Sequence, residues 1–201
     1  MSIALLAQAH DWRIVPGERI GPLTPMTTFA DLQQQFGAEN VRREQVDIGE
    51  GFEEPGAIVY PGSASKRLAV LWRNGKESEG PATVMICYGD NPAGTCEWKT
   101  EEGVTLGTTL SRLEALNRRP FRLSGFGWDY SGTVTSWNSG QLENVFNRKG
   151  RLIVRLIPRD SKPTPEYRQV EGDGDFSSGH PAMQKLDPRV YALTLQFEPE
   201  R

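Results

Sequence analysis

Two periods of apolar residues run along this chain. Leu68, Val70 and Trp72 occupy every second position, as do Leu152, Val154 and Leu156, and then Tyr191, Leu193, Leu195 and Phe197. A period of two places each set on one face of a half-buried strand. Phe29, Leu32 and Phe36 recur instead at helical spacing, and so do Leu110, Leu113 and Leu116, which predicts two short amphipathic helices. A threonine precedes each helix and can accept a hydrogen bond from a free N–H of the first turn. Thr28 and Asp31 make an imperfect capping box, Gly37 is a natural stop for the first helix, and Pro120 lies just past the second.

Strands are expected at residues 12–15, 41–48, 57–60, 84–87, 96–99, 121–126, 133–137, 142–146, 151–157 and 189–197, broken by Gly, Asn, Pro and Ser. Residues 84–87 and 96–99 read as the two arms of one hairpin. Residues 158–165 read as a polar connector and 172–179 as a mobile loop. Short helices placed ahead of antiparallel meanders, rather than alternating with single strands, predict an α+β fold.

The helices also belong to a repeat. The ten residues ending at Leu32 and the ten ending at Leu113 share the pattern Thr-x-x-Thr-Thr-apolar-x-x-Leu, and residues 67–72 match 151–156 in the same alternating register. The expected organisation is two related helix-then-antiparallel-sheet units, residues 10–100 and 101–201, which can share one continuous sheet.

Composition narrows the function classes. The chain has 201 residues, 26 acids against 23 bases and a net charge of −3, with its bases in short scattered groups such as Arg42-Arg43 and Arg118-Arg119. That pattern makes no continuous positive surface, so nucleic acid is not an expected partner. No stretch approaches the roughly eighteen apolar residues of a membrane span. Ala7-Gln8-Ala9 has the small-x-small pattern of a signal-peptidase site before His10, so residues 1–9 read as a signal-peptide remnant, although no Lys or Arg precedes them and the apolar run is short. The expected location is periplasmic or secreted. The only cysteines, Cys87 and Cys96, flank a turn-rich segment that can bring their sulfurs together; a bridge and a pair of partly buried thiols both fit.

A helix introduced by an apolar-Thr-Pro-Met-Thr turn, running to Phe36-Gly37 and followed by antiparallel strands, resembles the small modules of outer-membrane-assembly lipoproteins and β-lactamase-inhibitory proteins, the latter with two tandem copies. The resemblance covers the helix and first strands of each unit. No lipobox cysteine stands ahead of His10, so it supports no lipid anchor. It implies an exported, non-enzymatic protein that binds another protein across a concave sheet.

Catalytic and metal chemistry is thinly represented. Residues 125–127 and 172–174 each have two glycines of a dinucleotide fingerprint and lack the third, and no P-loop is present. His10 and His180 are the only histidines, and neither sits near a nucleophile elbow. His180 before Pro181 reads as the start of a short helical turn. Cleavage before His10 would expose an amino group beside its imidazole, a copper chelate that His180 can complete. Asp173, Asp175 and Ser177 alternate as in a calcium loop, yet Ser178 replaces the turn glycine and Gln184 the bidentate glutamate. Glu50, Glu53 and Glu54 form an acidic loop beside Gly49 and Gly51, able in principle to do acid–base work on a glycan. No cofactor is expected.

The remaining candidates are aromatic. Alternation places Phe126, Trp128 and Tyr130 on one face, with Trp137 following, either as an anchor patch for a partner or as core packed close to the neighbouring glycines. These features predict an exported, non-catalytic binding or inhibitory module recognising another protein or an envelope component. The alternatives are an exported enzyme acting on an envelope or extracellular polymer, through the acidic loop or copper at His10, and a purely structural protein.

Overall fold

All five residues of the strand Leu68–Trp72 are buried, which places it inside a sheet with both faces covered. The computed structural model describes residues 11–91, 94–147, 149–159 and 164–198. The expected signal-peptide remnant and His10 lie outside these residues, and with them the copper chelate. In chain order the strands are β1 (Arg13–Val15), β2 (Arg19–Ile20), β3 (Val41–Gly49), β4 (Phe52–Val59), β5 (Leu68–Trp72), β6 (Pro81–Ile86), β7 (Lys99–Thr100), β8 (Arg122–Ser124), β9 (Val134–Ser136), β10 (Gly150–Ile157), β11 (Asp175–Ser177) and β12 (Arg189–Phe197). The helices are α1 (Phe29–Phe36), α2 (Leu110–Asn117), α3 (Gln141–Phe146), α4 (Pro165–Gln169) and α5 (Pro181–Leu186).

The fold is α+β. Six strands form one antiparallel sheet in the order β10-β12-β6-β5-β4-β3. Two small sheets flank it, β2-β1-β7 and β11-β8-β9. Strands from both halves of the chain meet in the central sheet, where β6 pairs with β12.

The helices pack on one side of that sheet. Phe29, Leu32 and Phe36 of α1, Leu110 and Leu113 of α2, Leu142 and Phe146 of α3, and Ala182 and Met183 of α5 all join the large core with Leu68, Val70, Trp72, Val84, Ile86, Leu193 and Leu195. Val46, Ile58, Ala69 and Leu71, on the opposite face, form a second cluster with Met85 and Tyr88, to which no helix contributes. A helix covers one face of an amphipathic sheet; here the other is covered by its own side chains.

Two hydrogen bonds of the repeated threonine motif recur in both copies. Thr24 N–H bonds to Thr27 Oγ1 at 2.8 Å and Thr105 N–H to Thr108 Oγ1 at 3.0 Å. Thr28 then accepts from Asp31 N–H and Thr109 from Arg112 N–H, capping two eight-residue helices. Asp31 returns the favour by accepting Thr28 N–H at 2.9 Å, so the capping box is complete. Beyond the helices the two stretches differ: α1 leads into β3 of the central sheet, α2 into β8 of a flanking one, and β5 is interior where β10 is an edge. Duplication of whole units is therefore not established.

Four local expectations need correction. Residues 142–146 form a helix, not a strand, because Asn117 Oδ1 accepts the Leu142 N–H and favours a helical first turn after Gly140. Residues 84–87 and 96–99 make no hairpin. Trp98 is buried, donates its indole N–H to the Lys66 carbonyl at 2.8 Å and meets Trp12 edge-on, which draws β7 into parallel pairing with β1. A bulge opposite Arg155 and Leu156 turns Tyr191 outward and puts Val190 in line with Leu193, Leu195 and Phe197. Residues 172–179, read as a mobile loop, contain β11, which pairs with β8.

Candidate functional site

Trp128 and Tyr130 are 64% and 77% exposed, the largest aromatic surfaces that the described residues offer to solvent. They stand on a tight loop between β8 and β9 rather than on a strand, so the expected alternation fails there. Phe126 turns inward, fully buried and stacked on Tyr167. Trp137 is also core, packed between Phe121 and Phe146 with ring centroids 5.1 and 5.4 Å away. The expected patch thus divides into two aromatics outside and two inside.

The backbone beneath Trp128 and Tyr130 is closely tied. Ser131 N–H bonds to the Trp128 carbonyl at 2.8 Å, Thr133 N–H to the Tyr130 carbonyl at 3.0 Å and Gly132 N–H to the Gly125 carbonyl at 3.1 Å. Phe126 exchanges backbone bonds with Val170 and Gly172, and Leu156 N–H of β10 bonds to the Gly132 carbonyl at 2.9 Å. The Ser124 hydroxyl donates to the Tyr130 carbonyl, and the Arg155 guanidinium to that of Asp129. Gly132 is required: its φ is +64°, and a Cβ there would lie 1.9 Å from the Leu156 carbonyl oxygen. Arg155 also approaches the ring of Tyr191, another exposed aromatic.

A second exposed feature is the β3–β4 hairpin. Strand β5 pairs only with Gly56 to Val59 of β4, so residues 52–55 pair with β3 alone and the hairpin runs past the sheet. Glu50, Glu53 and Glu54 lie on this arm, exposed together with Ile48 and Phe52. The arm has a buttress that the sequence reading missed. The Tyr88 hydroxyl accepts Asp47 N–H at 2.9 Å and donates to the Asp47 carbonyl at 3.2 Å, and burial raises its pKa. Tyr88 follows Cys87 directly, and Cys87 is bonded to Cys96 in a disulfide. Nothing in the local pattern marks a tyrosine after a cysteine as a brace; the contact spans 41 residues.

The metal candidates have other employment. Asp175 accepts the Thr135 hydroxyl at 2.8 Å on one oxygen and pairs with Arg122 through the other. His180 caps α5, its Nδ1 accepting Ala182 N–H at 3.2 Å, and its ring meets Phe176 edge-on. Asp173 lies in the turn leading to β11. Among the described residues no group of three or more His, Cys, Asp and Glu side chains is arranged to hold a metal ion. No described helix is long and apolar enough to cross a membrane.

No family model matches the chain, and neither a curated protein nor a solved structure does.

Proposed function

We propose that this protein is an exported, non-catalytic binding module that recognises another protein or a component of the cell envelope through Trp128 and Tyr130. The observation that carries the reading is the pairing of two highly exposed aromatic rings with a backbone held by hydrogen bonds on both sides. Large aromatics on a fixed loop give contact area while little conformational freedom is lost on binding, which is why Trp and Tyr dominate binding hot spots. The Cys87–Cys96 disulfide suits an oxidising compartment and supports export.

The test compares the wild-type chain with Trp128→Ala/Tyr130→Ala in affinity isolation from the envelope fraction of the native host. A species retained by the wild type and lost from the variant, with the variant's circular dichroism unchanged, is the expected result. Equal retention by both would remove the loop from recognition. Intact mass of the native protein, showing cleavage before His10 and two hydrogens missing at the cysteines, tests export separately.

A further inference from the structure

Carboxylates border the two exposed rings of the β8–β9 loop. Asp129 stands between Trp128 and Tyr130, and Glu171 and Asp173 belong to the segment that runs beside them. Backbone bonds from Phe126 N–H to the Val170 carbonyl and from Gly172 N–H to the Phe126 carbonyl hold that segment against the loop. Two spacings show how close it lies. A Cβ at Gly127 would be 3.7 Å from Glu171 Oε1, and one at Gly172, just before Asp173, would be 4.0 Å from the Trp128 indole nitrogen. Asp129, Glu171 and Asp173 are exposed, and none of their side chains has a hydrogen bond or an ion pair among the described residues. Asp175, further along, is by contrast taken by Arg122 and Thr135. Arg155 is engaged too: its guanidinium donates to the Asp129 carbonyl and lies 6.0 Å from the ring of Tyr191, not over Trp128 or Tyr130.

An indole or phenol face attracts a cation, and a guanidinium can also stack flat upon it. Carboxylates beside the rings add attraction for the same charge and repel an anionic polymer or an anionic lipid surface. A neutral glycan would gain from the rings and nothing from the charge. We infer that the partner of this loop is a protein, and that it presents arginine or lysine side chains to Trp128 and Tyr130 with Asp129, Glu171 and Asp173 as counter-ions. This inference rests on the reading of the aromatic loop as a recognition site and names the chemistry it accepts.

The experiment is an NMR titration of the full chain with a hexapeptide alternating glycine and arginine, the same peptide with glutamate for arginine, and chitohexaose. The arginine peptide should shift the Trp128 indole N–H and the amides of Tyr130 and Glu171 saturably, with the glutamate peptide at least about tenfold weaker. Asp129→Asn/Glu171→Gln/Asp173→Asn, which keeps the side-chain shapes, should weaken the arginine peptide about tenfold. Glu50→Gln/Glu53→Gln/Glu54→Gln removes the same charge from the β3–β4 hairpin and should leave binding unchanged. Shifts at the loop from chitohexaose alone, an equal response to the glutamate peptide, or equal effects of the two carboxylate variants would each overturn the inference. So would the absence of any shift at the loop. In affinity isolation, a species lost with Trp128→Ala/Tyr130→Ala but retained by Asp129→Asn/Glu171→Gln/Asp173→Asn would keep the loop as a recognition site and refute its preference for cations.

Discussion

The side-chain oxygen of Asn117 accepts the backbone N–H of Leu142 at 3.2 Å in the core. The same amide donates from Nδ2 to the Trp137 carbonyl at 2.9 Å and to the Arg119 carbonyl at 3.0 Å. One fully buried side chain thereby joins the end of α2, the turn after β9 and the first turn of α3, which together carry Trp137 and Phe146. A buried amide with its partners in place is stable, but its removal leaves several backbone groups unpaired at once. Asn117→Ala should lower unfolding free energy by about 2 to 4 kcal/mol. Urea unfolding with an unchanged slope checks this, and a loss under about 0.5 kcal/mol would refute the keystone role.

The Cys87–Cys96 bridge closes a short loop, with a sequence separation of 9. Loop-closure entropy for that length is worth about 2 to 3 kcal/mol. Cys87→Ala/Cys96→Ala should therefore fold but melt lower, by roughly 4 to 10 °C for a domain of this size. Differential scanning calorimetry of the two proteins decides it.

Tyr88 ties the projecting hairpin to the sheet through Asp47. Tyr88→Phe removes both hydrogen bonds and keeps the ring packed against the cluster of Val46, Ile58, Ala69 and Leu71. Amide exchange at residues 47–54 should accelerate about five- to tenfold, with global stability falling by about 1 kcal/mol. Unchanged exchange in the arm would show that the hairpin is stiff without its brace.

Several carboxylates titrate below their ordinary range in the folded state. Arg13, with Arg19 beside it, holds the Asp11 carboxyl well down; hydrogen bonds from Thr28 lower that of Asp31, and one from Arg43 lowers that of Glu77. A depressed native pKa gives stability that is present above the unfolded value, about 4 for these groups, and is lost as pH falls through the native one. The urea midpoint should be flat from about pH 5 to 8 and decline below about pH 4. Asp11→Asn should make that acid limb shallower; an acid limb identical to wild type would show that Asp11 is not one of its sources.

Local chemistry made much of the fold legible. Thr28, Thr109 and Gly37 mark helix ends because caps and stops act within one turn, and the buried row of β10 follows from a period of two; β5, expected to be half-buried, is buried on both faces because it lies inside the sheet. What escaped depends on distant contacts. Residues 142–146 carry Leu142, Val145 and Phe146 at helical spacing, which the strand expectation passed over, and Asn117, 25 residues earlier, supplies an acceptor for the first turn. Tyr191 breaks its row because of a bulge that only the pairing with β10 creates. At the candidate site the aromatic segment was visible, but alternation cannot sort its members. Ser124, Arg155 and Val170 fold residues 126–132 into a turn, and that turn separates buried Phe126 from exposed Trp128 and Tyr130.

Photo-crosslinking at position 130 in the native host tests recognition through the aromatic loop. With p-benzoylphenylalanine in place of Tyr130, one discrete adduct should form, and Trp128→Ala in the same chain should abolish it. A chain that folds, reaches its compartment and yields no discrete adduct, or the same adduct with Trp128→Ala, would contradict recognition through this loop.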